Sequence, residues 1–223
     1  MKAVLLGPPG AGKGTFANYF SRKYCIPHIA TGDIFRAEIM KGTELGRIIK
    51  EYVDRGELVP DDIVIELVKK RLSQPDTRNG FLLDGYPRTL PQAYALDKFT
   101  SIDVAIYIYI PLEVAIDRLS NRYVCPKCGA VYNLKYHPPK NDLRCDYDGE
   151  KLIRRSDDDP EVIKKRYEIY YKQSQPVIDY YREKGLLIEV DNSGDRNPNI
   201  LLLEKTLIDR GILKLKPCRD TGF

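Results

Sequence analysis

The sequence predicts an α/β protein with a parallel, doubly wound sheet, and three observations support this fold class. Short apolar runs that resemble buried strands alternate along the 223 residues with segments of helical periodicity. The clearest run is residues 103–110 (DVAIYIYI), whose β-branched and aromatic residues are typical of a strand buried on both faces. A glycine-rich segment at residues 7–15 separates the first apolar run from the first helical pattern. Phosphate-binding loops occur in this order of strand, loop and helix.

The first part of the chain contains two strands that each lead into helices. Residues 2–6 are apolar and end at a glycine, and the helix after them places Phe16, Tyr19 and Phe20 on one face. We predict strands at residues 2–6 and 27–30, and helices at residues 13–24, 34–40, 43–55 and 61–73.

The second part repeats this alternation around one exception. We predict strands at residues 81–85, 103–110 and 186–190, and helices at residues 89–98, 112–121 and 198–210. Residues 122–155 show no helical period and contain three of the five cysteines together with repeated turn signals. We therefore predict a small β-rich insertion in the α/β fold at these residues.

Composition argues against several classes of protein. The chain is 43% hydrophobic and 30% charged, as in folded globular proteins, and 36 basic against 32 acidic residues leave a net charge of +4. No apolar stretch approaches the roughly 20 residues of a membrane span, and the N-terminus lacks the apolar core of a signal peptide. We therefore expect a cytoplasmic protein that does not associate with membranes or nucleic acid.

Residues 7–15, GPPGAGKGT, predict a phosphate-binding loop. Glycines allow backbone N–H groups to surround phosphate oxygens, the following helix adds the positive end of its dipole, and Lys13 supplies a full charge. Gly14 stands where a hydroxyl residue usually follows the lysine, and Thr15 comes one position later. Asp84, at the end of an apolar run, is the carboxylate expected near Mg²⁺. The alternative interpretation is a glycine-rich turn that binds no ligand.

The insertion carries the spacing of a metal site. Cys125 and Cys128 form one CxxC pair, and after sixteen intervening residues Cys145 and Asp148 repeat the same spacing. Such pairs predict a tetrahedral zinc site that folds the insertion and takes no part in a reaction. An Asp-Gly turn would explain Asp148 without a metal, and a redox CxxC is the alternative for the cysteines. Two other residues could supply the fourth ligand, His137 or Asp146.

Several motifs together resemble the adenylate kinase family. They are residues 7–15, residues 31–36 (TGDIFR), residues 84–89 (DGYPRT), Gln92 and the arginines around the insertion, and they follow the family's order over about residues 1–210. The resemblance implies a P-loop nucleoside monophosphate kinase fold in its long, zinc-binding form. It also implies reversible Mg-dependent phosphoryl transfer from ATP to AMP, which gives two ADP. The implied domains are a core at residues 1–29, 60–121 and 160–223, a helical monophosphate-binding insert at residues 30–59 and a lid at residues 122–159.

The resemblance also assigns roles to individual residues. ATP would contact Gly10, Ala11, Gly12, Lys13, Gly14, Thr15, Arg118 and Arg122. AMP would contact Thr31, Arg36, Glu57, Leu58, Val59, Gly85, Arg88, Gln92, Arg155 and Arg166, with Thr31 and Gln92 on the adenine. Mg²⁺ would lie near Thr15 and Asp84. The catalytic residues would be Lys13, Arg88, Arg122, Arg155 and Arg166.

Two other functions stay open. A kinase for UMP, CMP or GMP would differ only around Thr31 and Gln92, where the threonine favours AMP. A nucleic-acid-binding protein would use the basic residues of the insertion, but acidic residues at 142–159 dilute that charge.

The sequence offers no arrangement of residues for nucleophilic catalysis. This suits a nucleoside monophosphate as acceptor, because the second pKa of its phosphate is about 6 and the phosphate is largely anionic at neutral pH. We expect a monomer, since the enzyme must open and close around two nucleotides.

Overall fold

The computed structural model describes residues 1–194 and 196–214 of the chain. Its strands are β1 (Lys2–Leu6), β2 (His28–Ala30), β3 (Phe81–Asp84), β4 (Val104–Tyr109), β5 (Arg122–Val124), β6 (Val131–Asn133) and β7 (Leu187–Asp191). Five of them form a parallel sheet in the order β2-β3-β1-β4-β7, and β5 pairs antiparallel with β6 outside it. The predicted parallel α/β fold is confirmed.

Eight α-helices lie within the described residues. They are α1 (Lys13–Tyr24), α2 (Thr31–Met40), α3 (Glu44–Asp54), α4 (Asp61–Leu72), α5 (Leu90–Phe99), α6 (Leu112–Ser120), α7 (Pro160–Glu183) and α8 (Arg196–Asp209). None of them has both the length and the apolar character that crossing a bilayer requires.

The parallel register brings three loops to one edge of the sheet. Leu5 of β1 lies opposite Asp84 of β3, and Ala30 of β2 lies opposite the same Asp84. The carboxyl ends of these strands therefore lead side by side into the glycine-rich loop, the turn after Asp84 and helix α2. Ligands of open parallel sheets bind at this edge.

Helices cover both faces of the sheet. Leu5 packs with Phe16 and Phe20 of α1 on one face, while Val4 packs with the core that includes Tyr181 of α7 on the other. Phe16 and Phe20 are 0% and 1% exposed, which confirms the apolar face predicted for α1. The first strand and helix are thereby fixed rigidly on either side of the glycine-rich loop.

The β-rich insertion is a small unit with a thin core. Its strands β5 and β6 pair with each other, and isolated bridges such as Val124 to Ile153 join them to other segments of the insertion. Its buried cluster consists of Cys125, Tyr132, Cys145 and Leu152. A core of this size needs an additional crosslink or metal to remain folded.

The sequence analysis missed helix α7. This helix spans 24 residues and contains Pro176 in its interior. Its buried positions include Tyr170, Ser174 and Tyr181, so that polar and aromatic residues interrupt the aliphatic stripe by which buried helix faces are recognised. Helix α2 begins at Thr31 and not at residue 34 as predicted. Residues 215–223, whose role the sequence leaves undetermined, lie outside the described residues.

Candidate active site

The glycine-rich loop turns sharply between β1 and α1. Gly7, Gly10 and Gly12 have φ angles of 148°, 80° and 91°, which side-chain-bearing residues rarely adopt. A Cβ atom at Gly7 would lie 2.3 Å from the carbonyl oxygen of Ile108. Helix α1 begins at Lys13 without a side-chain cap, so its N-terminus can receive a phosphate.

Lys13 is held inside this loop. Its Nζ donates to the carbonyl oxygens of Gly7 at 2.8 Å and Pro8 at 3.0 Å. Burial lowers the pKa of Lys13 to about 8, although the charge of Asp84 opposes this change. The side chain is therefore mostly charged at neutral pH, and a phosphate would bind it more strongly than two neutral carbonyls do.

Asp84 closes the other side of the loop. Its Oδ2 lies 3.4 Å from Nε2 of His28, and a Cβ atom at Gly14 would lie 3.8 Å from the same oxygen. Burial raises the pKa of Asp84, but the hydrogen bond with His28 and the charge of Lys13 outweigh it, so that the pKa lies below its usual value. Asp84 is thus ionised, as a carboxylate near Mg²⁺ must be. The contact with His28 was not predicted from the sequence.

Arg88 is fixed from several directions. Its Nε donates to the carbonyl oxygen of Gly85 at 2.9 Å, and its backbone N–H donates to Oε1 of Gln92 at 2.8 Å. The Oγ of Ser174 in α7 donates to its carbonyl oxygen at 3.0 Å. Burial, followed by the charge of Arg166, lowers the pKa of Arg88. A bound anion would therefore be favoured beside the Arg88 guanidinium, because it would offset the burial of this charge and the repulsion from Arg166.

The other predicted catalytic arginines meet where the lid joins α7. The Nε of Arg122 donates to Oδ2 of Asp158 at 2.8 Å, and Nη1 of Arg166 lies 2.7 Å from Oδ2 of Asp157. The buried Nε of Arg155 has no hydrogen-bond partner among the described residues. The pKa of Arg155 is lowered to about 10, mainly by burial and then by the positive charges of Arg122 and Arg36. The two aspartates, which the sequence analysis missed, position these arginines without neutralising them all.

Arg118 and the glycine-rich loop share one anchor, Asn192. The side chain of Asn192 is fully buried, and its Nδ2 donates to the carbonyl oxygen of Ala11 at 2.8 Å. The backbone carbonyl oxygen of Asn192 accepts a hydrogen bond of 2.8 Å from Nη2 of Arg118. The side chain of Ala11 lies in the core, and Ala11, which was predicted to contact ATP, is not among the residues that line the cleft. A polar residue directly after β7, at the carboxyl edge of the sheet, was the signal that could have identified Asn192.

The predicted adenine-binding residues lie together and are held by internal hydrogen bonds. Thr31 is 1% exposed, and its Oγ1 donates to the carbonyl oxygen of Gly85 at 3.1 Å. Gln92 is 2% exposed, and its Nε2 donates to Oδ1 of Asp61 at 2.7 Å. The carboxylate of Glu57 pairs with Lys165 at 2.9 Å. These contacts fix the wall of the pocket, which Leu58 and Val59 continue.

One cleft of about 1180 Å³ joins these groups. Among the residues predicted to bind nucleotides or Mg²⁺, its lining includes Gly10, Gly12, Lys13, Gly14, Thr15, Thr31, Arg36, Glu57, Leu58, Val59, Asp84, Gly85, Arg88, Gln92, Arg118, Arg122, Arg155 and Arg166. Its volume is above the usual range of sites for one small molecule, about 300–1000 Å³. A cleft of this kind can hold two phosphate-bearing ligands end to end.

The four predicted zinc ligands form a separate cluster in the lid. The ligand atoms of Cys125, Cys128, Cys145 and Asp148 all lie within 4.8 Å of one another. The Sγ atoms of Cys128 and Cys145 are 3.4 Å apart, whereas sulfur ligands at about 2.3 Å from a tetrahedral zinc would be about 3.8 Å apart. The cluster is therefore close to the size of a zinc site. Asp146 instead accepts a hydrogen bond from the Lys140 backbone N–H at 2.8 Å.

Comparisons with known proteins agree with this geometry. The family model described as adenylate kinase matches residues 5–186. An adenylate kinase of Archaeoglobus fulgidus is 52% identical over 200 residues, which cover 87% of this chain and 92% of that protein. An adenylate kinase of Clostridium beijerinckii is 52% identical over 198 residues, covering 86% and 92%. One of Clostridium tetani is 50% identical over 202 residues, covering 88% and 94%.

The match includes the whole glycine-rich loop, the turn after Asp84 and all of α7. The phosphate loop and the arginines that line the cleft are thus in the region that the family model describes. The chain therefore belongs to the adenylate kinase family and is an ATP:AMP phosphotransferase.

Proposed function

We propose that the cleft carries out this reaction by in-line transfer of the γ-phosphoryl group of Mg-bound ATP to the phosphate of AMP. The observation that supports this mechanism is the set of cationic groups, Lys13 and the arginines, that line one cleft together with the ionised carboxylate of Asp84. The transferred group spreads negative charge over its oxygens, so that positioned cations lower the barrier. The acceptor phosphate is already anionic and needs no general base.

On the donor side, the loop residues Gly10, Ala11, Gly12, Gly14 and Thr15 hold the ATP phosphates through their backbone N–H groups. Lys13 leaves the Gly7 and Pro8 carbonyls and binds the β- and γ-phosphates. Arg118 and Arg122 reach the same nucleotide from α6 and the lid. Thr15 and Asp84 would hold Mg²⁺, which would neutralise phosphate charge.

On the acceptor side, Arg36 and Arg88 hold the AMP phosphate. Arg155 and Arg166 bind the group in transfer, which suits the unpaired Nε of Arg155. Thr31 and Gln92 contact the adenine, with the backbone of residues 57–59 and Gly85 closing around it. The internal hydrogen bonds of Thr31 and Gln92 support this role, because they fix two polar groups before the base arrives.

We further propose that two parts of the chain close over the nucleotides. Residues 30–59 would move with AMP, and the lid at residues 122–159 would move with ATP, against a core of residues 1–29, 60–121 and 160–223. Closure excludes water, which would otherwise accept the phosphoryl group. The cluster of Cys125, Cys128, Cys145 and Asp148 would hold one structural Zn²⁺ that folds the lid, and the enzyme would act as a cytoplasmic monomer.

Acceptor specificity is tested with a panel of AMP, GMP, CMP and UMP in the presence of Mg-ATP. The products are separated by chromatography. We expect ADP to form at twice the rate at which AMP is consumed, with little transfer to the other three. Efficient transfer to UMP, CMP or GMP would contradict the proposed acceptor and leave the phosphate chemistry intact.

The arginine roles are tested with a matched pair of lid variants. Arg155→Lys replaces a guanidinium of the cleft, whose Nε is buried, by an ammonium group, and Arg144→Lys makes the same change at an exposed residue that donates to the carbonyl oxygen of Gly149. We expect kcat to fall about 100-fold in the first variant, the size of the loss of one transition-state donor, and to be unchanged in the second. Equal activity of the two variants would contradict the role of Arg155.

A further inference from the structure

Helix α7 carries three polar side chains at intervals of four residues, Arg166, Tyr170 and Ser174. This interval places them on one face of the helix, and all three line the cleft. Arg166 pairs with Asp157, and Ser174 donates to the carbonyl oxygen of Arg88. Tyr170 lies between these two anchored residues, and the proposed mechanism assigns it no role.

The hydroxyl proton of Tyr170 has no hydrogen-bond acceptor. The residue is 9% exposed, its hydroxyl oxygen is buried, and no group of the described residues accepts this proton. Nearly all buried hydroxyls are paired, because an unpaired one loses its contacts with water and gains nothing in return. A partner from outside the chain would account for this arrangement.

The surroundings of the hydroxyl favour an anionic partner. The charge of Arg88 acts on it, and the backbone N–H of Gly7 faces its oxygen. Burial nevertheless raises the pKa of Tyr170 well above its usual value. The hydroxyl is therefore protonated at neutral pH and can donate. A protonated hydroxyl that lines the cleft beside the positive charge of Arg88 can bind an anionic acceptor such as a phosphate oxygen.

We propose that Tyr170 is a phosphate-binding residue: its hydroxyl donates a hydrogen bond to a phosphate oxygen of the bound nucleotides, between Gly7 and Arg88. This inference rests on the proposed mechanism, because nucleotides bring phosphates to these residues. The hydroxyl therefore destabilises the protein without nucleotide and stabilises its complex with the nucleotides. Removing it should therefore weaken nucleotide binding and catalysis without lowering the melting temperature.

The chain offers a matched control in the same helix. Tyr181 is 0% exposed and its hydroxyl is also unpaired among the described residues, but it is not among the residues that line the cleft. The experiment compares Tyr170→Phe and Tyr181→Phe with the wild type. It measures kcat and KM for Mg-ATP and AMP, the Kd of ADP by titration calorimetry, and the melting temperature without nucleotide.

For Tyr170→Phe we expect kcat/KM to fall and the Kd of ADP to rise, each about ten-fold, as for a lost hydrogen bond to a charged group. The melting temperature should stay equal or rise in both variants, and Tyr181→Phe should keep wild-type kinetics. Wild-type kinetics in Tyr170→Phe, an equal loss in both variants, or a lower melting temperature of Tyr170→Phe would each overturn the proposal. A wild type that transfers no phosphoryl group to AMP would instead refute the proposed function itself.

Discussion

Replacing Asn192 by alanine should weaken both the fold and the binding of ATP. The buried amide of Asn192 donates its 2.8 Å hydrogen bond to the carbonyl oxygen of Ala11. In the variant this carbonyl would be buried and unpaired, which costs about 1–3 kcal/mol. For a protein of this size, about 2 kcal/mol corresponds to a decrease in melting temperature of about 4–8 °C.

The kinetic effect of Asn192→Ala should be unequal for the two substrates. Ala11 belongs to the loop that receives ATP, so the KM of ATP should rise several-fold while that of AMP changes little. Thermal unfolding and initial rates at varied ATP and varied AMP measure the two effects. Equal changes in both KM values would refute the argument that Asn192 acts on the phosphate loop.

A second asparagine provides a control for the stability of Asn192→Ala. Asn121 also donates a 2.8 Å hydrogen bond to a backbone carbonyl, that of Asp117, but it is only partly buried. Water can replace its amide, so Asn121→Ala should lower the melting temperature by less than Asn192→Ala does. An equal decrease in the melting temperature of the two variants would show that burial of the hydrogen bond does not cause the loss of stability in Asn192→Ala.

Three further predictions concern the lysine, the lid and the core. Lys13→Met should lower kcat at least about 100-fold, the effect of removing one charge-stabilising group, and near-normal rates would refute its role. Chelation under mild denaturation should release about one zinc per chain and lower the melting temperature; a metal-free protein with unchanged melting would contradict the lid site. The pKa of buried Glu204 is lowered because hydrogen bonds from Tyr24 and Lys23 outweigh its burial, so its contribution to stability should be lost as the pH falls through that pKa. Unfolding free energies of the wild type and Glu204→Gln should therefore converge in acid, and parallel pH curves would disprove this.

Short segments of sequence were sufficient to predict the parts whose function depends on local chemistry. The glycines at 7, 10 and 12 are required by the backbone angles of the phosphate loop itself, and a CxxC pair positions two sulfur atoms through its own turn. The alternation of apolar runs and helices predicted the parallel sheet because each of these elements has its own periodicity. The nearness of the glycine-rich loop to Asp84 follows from the strand register that pairs Leu5 with Asp84, which the sequence pattern did not give.

Other parts depend on contacts between residues far apart in the chain. The buried face of helix α7 mixes aliphatic residues with Tyr170, Tyr181 and Ser174, and the partner of Ser174 lies outside the helix. Asn192 and Ala11 are 181 residues apart, and Arg122 and Asp158 are 36 apart. No local pattern marks such partners.

The sequence by itself determined the class of fold, the phosphate loop and the spacing of the cysteines, because these depend on backbone angles and periodicities within a few residues. The tertiary structure alone decided which polar groups support that chemistry: Asn192 under the loop, Asp157 and Asp158 beside the arginines, and the unpaired hydroxyl of Tyr170 in the cleft. The physical reason is burial, since whether a polar group is paired or unpaired depends on which distant elements exclude water from it.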